Sequence, residues 1–193
     1  MNIILASKSG VRKTILEKNN IQCEVQVSYV DEDEVKRSLL AEGADPLLIS
    51  KNLAELKSIK VSKKNPNQLV LGADSVVSLE NTLISKPKSR EEALKILQKL
   101  NGKVHYLISS VCISLNGSMV WNFSDSSELK MKTHTTEELI AYLNRIKTET
   151  LLAYGVYQVE ADGLKLFEYI KGDTDSIMGL PIKEIKTYIN NYK

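Results

Sequence analysis

Short apolar runs alternate with stretches of helical spacing along the first half of the chain, and short apolar runs then dominate the second. Ile3, Ile4 and Leu5 read as a strand that feeds the small-residue loop Ala6-Ser-Lys-Ser-Gly10. Val11, Ile15 and Leu16 recur on one side of a following helix. Ile21 to Val27 reads as a second strand, followed by the acidic run Val30-Asp-Glu-Asp-Glu34. Leu48, Ile49, Leu53, Leu56 and Ile59 predict an amphipathic helix over Pro46 to Val61. Leu69-Val-Leu-Gly72 is a short buried strand that delivers Ala73-Asp-Ser75 at its carboxyl end. Val76 to Ile84 reads as a hairpin broken at Glu80-Asn81. Ser89 with Glu92 then forms a capping box for a helix facing Ala93, Ile96, Leu97 and Leu100 inward. From Val104 to Val120 the pattern is β-rich with a turn at Asn116-Gly117. Thr135 or Thr136 opens a helix through Leu139, Ile140 and Leu143. Strands are expected around Val156 to Ile170, a turn at Gly172-Asp173, and a last helix from Pro181. This order predicts an α/β fold with a mixed, twisted sheet, and no linker or repeat divides residues 1–193, so one domain is expected.

Composition narrows the class. The chain has 193 residues, 42% of them hydrophobic and 26% charged, which suits a folded globular protein and excludes a disordered one. Twenty-six basic against 24 acidic side chains give a net charge of +2, far from the lopsided balance of a bulk-charge nucleic-acid binder. Only Arg12, Arg37, Arg90 and Arg145 are arginines, so few side chains can grip a phosphate bidentately. Cys23 and Cys112 sit in alternating runs and read as small hydrophobes, with no spacing that suggests zinc. MNIILASKSG lacks a basic n-region, and no stretch approaches the roughly 20 apolar residues of a membrane span, so a cytoplasmic location without membrane contact is expected.

Several segments can carry chemistry, each with a plainer alternative. In Ser7-Lys-Ser9-Gly-Val11-Arg12-Lys13, a strand, a small-residue loop and a helix N-terminus offer backbone N–H groups and hydroxyls to an anion, with Arg12 and Lys13 adding charge. Basic residues in a first helical turn oppose the macrodipole, a mild argument for phosphate; the alternative is an ordinary solvated loop. Asp74 lies where open α/β sheets gather ligands, as a metal-facing carboxylate or a general base, or else as a turn or capping residue. Asp31 and Glu32 could supply a second metal-facing carboxylate or form a solvated face. Lys57, beside Leu53 and Leu56, could reach into a cleft, and Lys86, fixed by Pro87, could meet a polyphosphate or stay on the surface. His105 reads first as a core or hydrogen-bonded histidine. In Gly155-Val-Tyr157-Gln-Val-Glu160-Ala-Asp-Gly163, strand alternation sets Tyr157 and Val159 against Gln158 and Glu160, and Glu160 could accept from a guanine edge or lie on an edge strand.

In order and spacing, Ile4-Leu-Ala-Ser-Lys-Ser-Gly-Val-Arg12, Gly72-Ala-Asp-Ser-Val-Val77, Lys86-Pro87, Glu91-Glu-Ala93, Leu97-Gln-Lys-Leu-Asn-Gly102, the Tyr157 segment and Gly179-Leu-Pro181 resemble the Maf family of nucleoside triphosphate pyrophosphatases. The resemblance covers nearly the whole chain. It implies an inosine-triphosphatase-like fold with a central mixed twisted sheet, flanking helices and a cleft between two lobes. It implies hydrolysis of a nucleoside triphosphate to monophosphate and pyrophosphate with a divalent cation, Mg²⁺, Mn²⁺ or Co²⁺. By position, Asp74 matches the family's proton acceptor, Ser7, Ser9 and Arg12 its phosphate loop, Lys57 and Lys86 its cleft lysines, and Glu32 with Asp74 its metal-side carboxylates.

Val11, Ser75 and Glu160 match the positions that sort substrates. The dTTP/UTP branch carries Arg, Thr and Gln there, and the 7-methyl-GTP branch Trp, Gln and Glu. Glu160 and the run Tyr157 to Glu168 favour the 7-methyl-GTP branch. Gly10, Asn52 and Leu56 stand where the family has Pro, Arg and Glu. A nucleotide substrate is the expected partner, with homodimerisation left open. A dTTP/UTP-type enzyme and a nucleotide-binding regulator of cell division with little turnover are the alternatives.

Overall fold

The computed structural model describes residues 2–159 and 162–192. It is mixed α/β. In chain order the elements are β1 (Asn2–Leu5), α1 (Gly10–Lys18), β2 (Gln22–Val25), α2 (Glu32–Ala41), α3 (Pro46–Ser62), β3 (Val70–Leu79), β4 (Thr82–Ile84) and α4 (Arg90–Leu100). There follow β5 (Val104–Leu115), β6 (Ser118–Met131), α5 (Thr136–Asn144), α6 (Thr148–Tyr154), a 3₁₀ turn (Asp162–Leu166), β7 (Phe167–Lys171), α7 (Thr174–Ile177) and α8 (Ile182–Asn191). The sheet order is β2-β1-β3-β5-β6-β7, with β4 pairing to β3. β1 is parallel to both β2 and β3, while β3–β4 and β6–β7 are antiparallel, so the expected mixed sheet with flanking helices is present.

The chain divides into two compact units. One comprises residues 1–76, 108–126 and 173–193, the other 77–107 and 127–172. Three of the four boundaries fall inside β3, β5 and β6, so these strands contribute to both.

In the first unit, Leu5, Leu16, Leu71, Ile113, Leu180 and Ile185 are almost fully buried and form the main core. β1 and β3 run side by side, and β1 ends where the loop to α1 begins. α3 starts from Asp45, whose side chain accepts from Leu48 N at 2.7 Å, with Pro46 preset for the first turn. Its buried face carries Ile49, Ser50, Leu53, Ala54, Lys57, Ser58, Val61 and Ser62, an unusually small and hydroxylic set. Ser50 Oγ meets Ser110 Oγ at 2.5 Å and Ser58 Oγ meets Ser114 Oγ at 2.7 Å, so this face satisfies its hydroxyls against β5. Gly72 allows the same helix to come close to β3. A Cβ there would overlap the Ala54 carbonyl oxygen and lie 2.7 Å from Ser58 N.

In the second unit, Leu79, Leu97, Leu100, Leu129, Met131, Leu139, Leu143 and Phe167 share one core. Only one arm of the expected capping box forms on α4: Ser89 Oγ accepts from Glu92 N at 3.2 Å, while Glu92 Oε2 accepts from Lys88 N at 2.8 Å instead of from Ser89 N. Arg90 donates to the carbonyls of Leu143 and Ile146 and to Thr148 Oγ1, tying the α5–α6 junction to α4. The Glu80-Asn81 turn closes β3–β4 with both residues at positive φ, 50° and 58°.

Three readings of the pattern are corrected. The acidic run 30–34, read as metal-facing or solvated, is not a loop: Glu32 to Glu34 open a helix, α2, that runs on to Ala41. The strand that follows Leu69 does not stop at Gly72 but runs on to Leu79, and it carries Asp74 within it. Residues 156–159 are not a strand. Val156 and Tyr157 are buried by side-chain packing instead, Tyr157 edge-on to Phe167 at 4.9 Å between centroids, and the strand begins only at Phe167.

Candidate active site

The chemistry-bearing residues of the first unit converge on Asp74. As part of β3, Asp74 presents a buried side chain, 7% exposed. Its Oδ1 receives Lys57 Nζ at 2.7 Å. Its Oδ2 is buried and has no hydrogen-bond partner among the described residues. Such an orphaned carboxylate oxygen is costly unless something else uses it.

Lys57 is placed by the close seat of α3 on Gly72 and is itself buried, its side chain 8% exposed. The same ammonium reaches Glu32 Oε1 at 2.8 Å and the Ala73 carbonyl at 3.5 Å. Glu32 opens α2, one residue after Asp31, whose side chain accepts from Glu34 N at 3.0 Å and caps the helix. A carboxylate in the first turn is favoured by the helix dipole, which is why the acidic run folds this way. Glu32 also faces Lys36 at 3.8 Å. The expected pair of metal-side carboxylates is therefore brought together, with Lys57 between them.

Arg12 is engaged by four acceptors of the first unit. Nε donates to the Gly179 carbonyl at 2.9 Å, Nη1 to the Ala73 carbonyl at 2.9 Å and Ser7 Oγ at 3.2 Å, and Nη2 to Ser75 Oγ at 3.0 Å. Burial lowers its pKa, while the fields of Asp74 and Glu32 act the other way. The guanidinium thus fastens the β1–α1 loop, β3 and the Gly179 turn to one another. Gly179 makes this possible: its φ is +96°, and a Cβ would sit 3.0 Å from Ser75 Oγ and 3.2 Å from Arg12 Nε. Gly179-Leu-Pro181 is legible in the sequence only as a motif; in the structure the Gly179 carbonyl holds Arg12.

Ser9 caps α1, accepting from Arg12 N at 3.4 Å, and the first turn of α1 holds no acidic residue. Ser7 is buried, and its Oγ accepts from Ser9 N at 3.2 Å. Val11 packs against the core of this unit. Ser75 Oγ meets Ser109 Oγ on β5 at 2.9 Å, a contact that no spacing in the sequence announces.

Lys86 belongs to the second unit, where it donates to the Ala153 carbonyl at 2.7 Å. Glu160 lies outside the described residues. Among the described residues no group of three His, Cys, Asp or Glu side chains could hold a metal ion. No helix among them is long and apolar enough to cross a membrane. A cavity of about 490 Å³ beside α2 and α3, lined by Val30, Val35, Leu56 and Ile59 with Lys60, Lys63 and Lys64, has none of the carboxylate–lysine cluster among its lining residues.

His105 is a core residue of the second unit. Its Nε2 lies 3.0 Å from Tyr157 Oη, and its Nδ1 has no partner among the described residues. Burial lowers its pKa to about 4 from an ordinary 6.5. In the unfolded chain the ring takes a proton near 6.5, but in the folded one only near 4. Between those values the unfolded state binds more protons, so stability falls as pH falls and levels off below about 4. The loss is on the order of 3 kcal/mol at 1.36 kcal/mol per pKa unit. Denaturant melts from pH 7.5 to 4 should show this decline, and His105→Gln should flatten it. An equal decline in the variant would assign the effect to other groups.

A family model described as Maf-like protein matches residues 2–192. The chain belongs to the Maf family. It is 60% identical over 191 residues to a protein of Pelagibacter ubique named nucleoside triphosphate pyrophosphatase, covering 99% of this chain and 98% of that one. It is 36% identical over 182 residues to a 7-methyl-GTP pyrophosphatase of Brucella abortus, covering 94% and 92%. This member of the Maf family carries the Asp74–Lys57–Glu32 cluster on β3, α3 and α2. Among solved structures, a HAM1 protein from Coxiella burnetii is similar at a TM-score of 0.47 and 13% identity, over 68% of this chain and 73% of that one.

Proposed function

We propose that this Maf-like protein is a nucleoside triphosphate pyrophosphatase, a hydrolase that releases pyrophosphate and leaves the nucleoside monophosphate, with residues 1–193 acting as one domain. The observation that carries the reading is Asp74, a buried carboxylate with one oxygen fixed by Lys57 and the other unpartnered among the described residues. A carboxylate held this way is oriented to take a proton from an attacking water at Oδ2.

Donors and charge around it divide the remaining work. The α1 N-terminus, capped by Ser9 and free of acidic residues in its first turn, is suited to phosphate oxygens. Arg12 holds Ser7, Ala73 and Ser75 in register, so the loop and the β3 carboxylate keep one spacing through the reaction. Lys86 and Glu160 are assigned as nucleotide contacts from their family positions alone.

The donor set fits a hard divalent cation, Mg²⁺, Mn²⁺ or Co²⁺. The carboxylates of Glu32 and Asp74 both accept from the same lysine nitrogen, so their oxygens lie close enough to share one cation. Two carboxylates are what Mg²⁺ usually takes from a protein when phosphates and water complete its shell. When bound, the ion would neutralise charge on the phosphate oxygens.

The substrate read here is a modified, 7-methyl-GTP-like nucleotide. The likeness to the Brucella enzyme and Glu160 support it, and a dTTP/UTP-type preference is the alternative. A panel of canonical and methylated nucleotides with Mg²⁺, Mn²⁺ and Co²⁺, assayed for pyrophosphate release, tests both levels. Release from 7-methyl-GTP ahead of dTTP and UTP is the expected result. Release from none, with thermal stabilisation by nucleotide, would replace the enzyme by a nucleotide-binding regulator.

A further inference from the structure

Lys57 is the feature that the pyrophosphatase reading leaves unexplained. A lysine assigned to phosphate should keep its ammonium donors for phosphate. Here the three N–H donors face three oxygens of the protein: Asp74 Oδ1 at 2.7 Å, Glu32 Oε1 at 2.8 Å and the Ala73 carbonyl at 3.5 Å. The side chain is only 8% exposed, so its charge would be costly without those partners.

We propose that the Lys57 ammonium holds, in the free protein, the place between Glu32 and Asp74 that a divalent cation takes when nucleotide arrives, and that it then transfers to the phosphate oxygens. The inference rests on the pyrophosphatase reading and concerns the order in which metal and nucleotide bind. When the ammonium leaves, Asp74 Oδ1 is freed for the cation, while Oδ2, buried and without a partner among the described residues, stays available to take the proton. A divalent ion arriving alone meets a positive charge within hydrogen-bond distance of both of its carboxylates, which weakens its binding. A triphosphate offers that charge a new partner and so frees the pair. Metal and nucleotide then favour each other, a coupling carried by one side chain. A lysine suits this role, being a compact point charge on a four-carbon stem whose nitrogen can shift while its backbone stays packed on β3. Lys57 is a positioning residue in this account, acting through the two carboxylates.

The test is Mn²⁺ binding by the full chain without nucleotide, followed through the electron paramagnetic resonance signal of free Mn²⁺. Lys57→Met should bind Mn²⁺ at least about ten-fold more tightly than the parent, within the usual range of a coupling between sites. Lys57→Arg, which keeps the charge, should stay near the parent. Equal or weaker binding by Lys57→Met, in protein with a native circular-dichroism spectrum, would overturn the proposal. So would a single micromolar Mn²⁺ site in the unaltered protein, which needs no variant to fold. Pyrophosphate release by the parent with no tightening in Lys57→Met removes this inference and leaves the reaction standing. Tightening in Lys57→Met with no release from any nucleotide does the reverse.

Discussion

Asp74→Asn should lower pyrophosphate release by about a thousand-fold, within the range a positioned general base supplies, while the protein still folds. The substitution keeps the side chain's size and leaves Oδ1 able to accept from Lys57, now at 2.7 Å. It removes the negative charge and puts an amide in place of a proton-accepting oxygen. Which amide atom faces Lys57 is set by hydrogen bonding: the ammonium needs an acceptor, so the oxygen turns to Lys57 and the NH₂ takes the position of Oδ2. That group can donate but cannot accept a proton. Lys57 keeps Glu32 at 2.8 Å, so it is not stranded as an unpaired buried charge. Steady-state pyrophosphate release checks the rate, and a circular-dichroism melt checks the fold. A rate near that of the parent would remove Asp74 from the mechanism.

The second large effect is expected from Gly72→Ala, a change of one methyl group well inside the fold. The added Cβ would meet backbone, the Ala54 carbonyl and Ser58 N at 2.7 Å, rather than the yielding end of a long side chain. Overpacking commonly costs 1–3 kcal/mol, and rigid backbone on the far side puts this case at about 3 kcal/mol or more. For a chain of this length that corresponds to a fall in Tm of roughly 6–12 °C. Activity should fall further than stability explains, because Ala54 and Ser58 bracket Lys57 on α3 and the helix must retreat with it. Melts and kcat measured well below the new Tm separate the two effects. An unchanged melting curve would mean that α3 is not seated as closely on β3 as the geometry requires.

The sequence is most legible where a local rule decides the outcome. The Ser89 cap on α4 and the turns at Glu80-Asn81 and Asn116-Gly117 follow from capping and from positive φ, and all three are present. α2 is faint in the sequence because its apolar stripe is short, Val35 and Leu39 with Leu40 beside them, and none of its residues is buried. The signal that was available is Asp31 as an N-cap ahead of Glu32, Asp33 and Glu34 in the first turn.

α3 misleads differently. Hydrophobicity puts Leu56 on its inner face, yet Leu56 is 41% exposed while Lys57 and Ser58 are buried. The helix seats by size and hydroxyl pairing, which hydropathy does not register. Lys57 is legible as a cleft lysine from its place beside Leu53 and Leu56 and from the resemblance, but its two carboxylate partners come from α2 and β3, whose approach is tertiary. Arg12 shows the same limit. Its cationic character is evident in the sequence, whereas acceptors at residues 73 and 179 leave no mark near residue 12.

The Arg12–Gly179 bond has a consequence for synthesis. Its partners lie 167 residues apart, so the guanidinium cannot complete its set until the segment carrying Gly179 has left the ribosome. Until then the loop after β1 lacks one of its fastenings, and the nascent chain carries the Asp74 strand without the finished surroundings that restrain it. A ribosome-stalled chain ending shortly before Gly179 should therefore be far more open to protease near residues 7–12 than the released protein. The loop after β1 is fully fastened only once the Gly179 turn has been made.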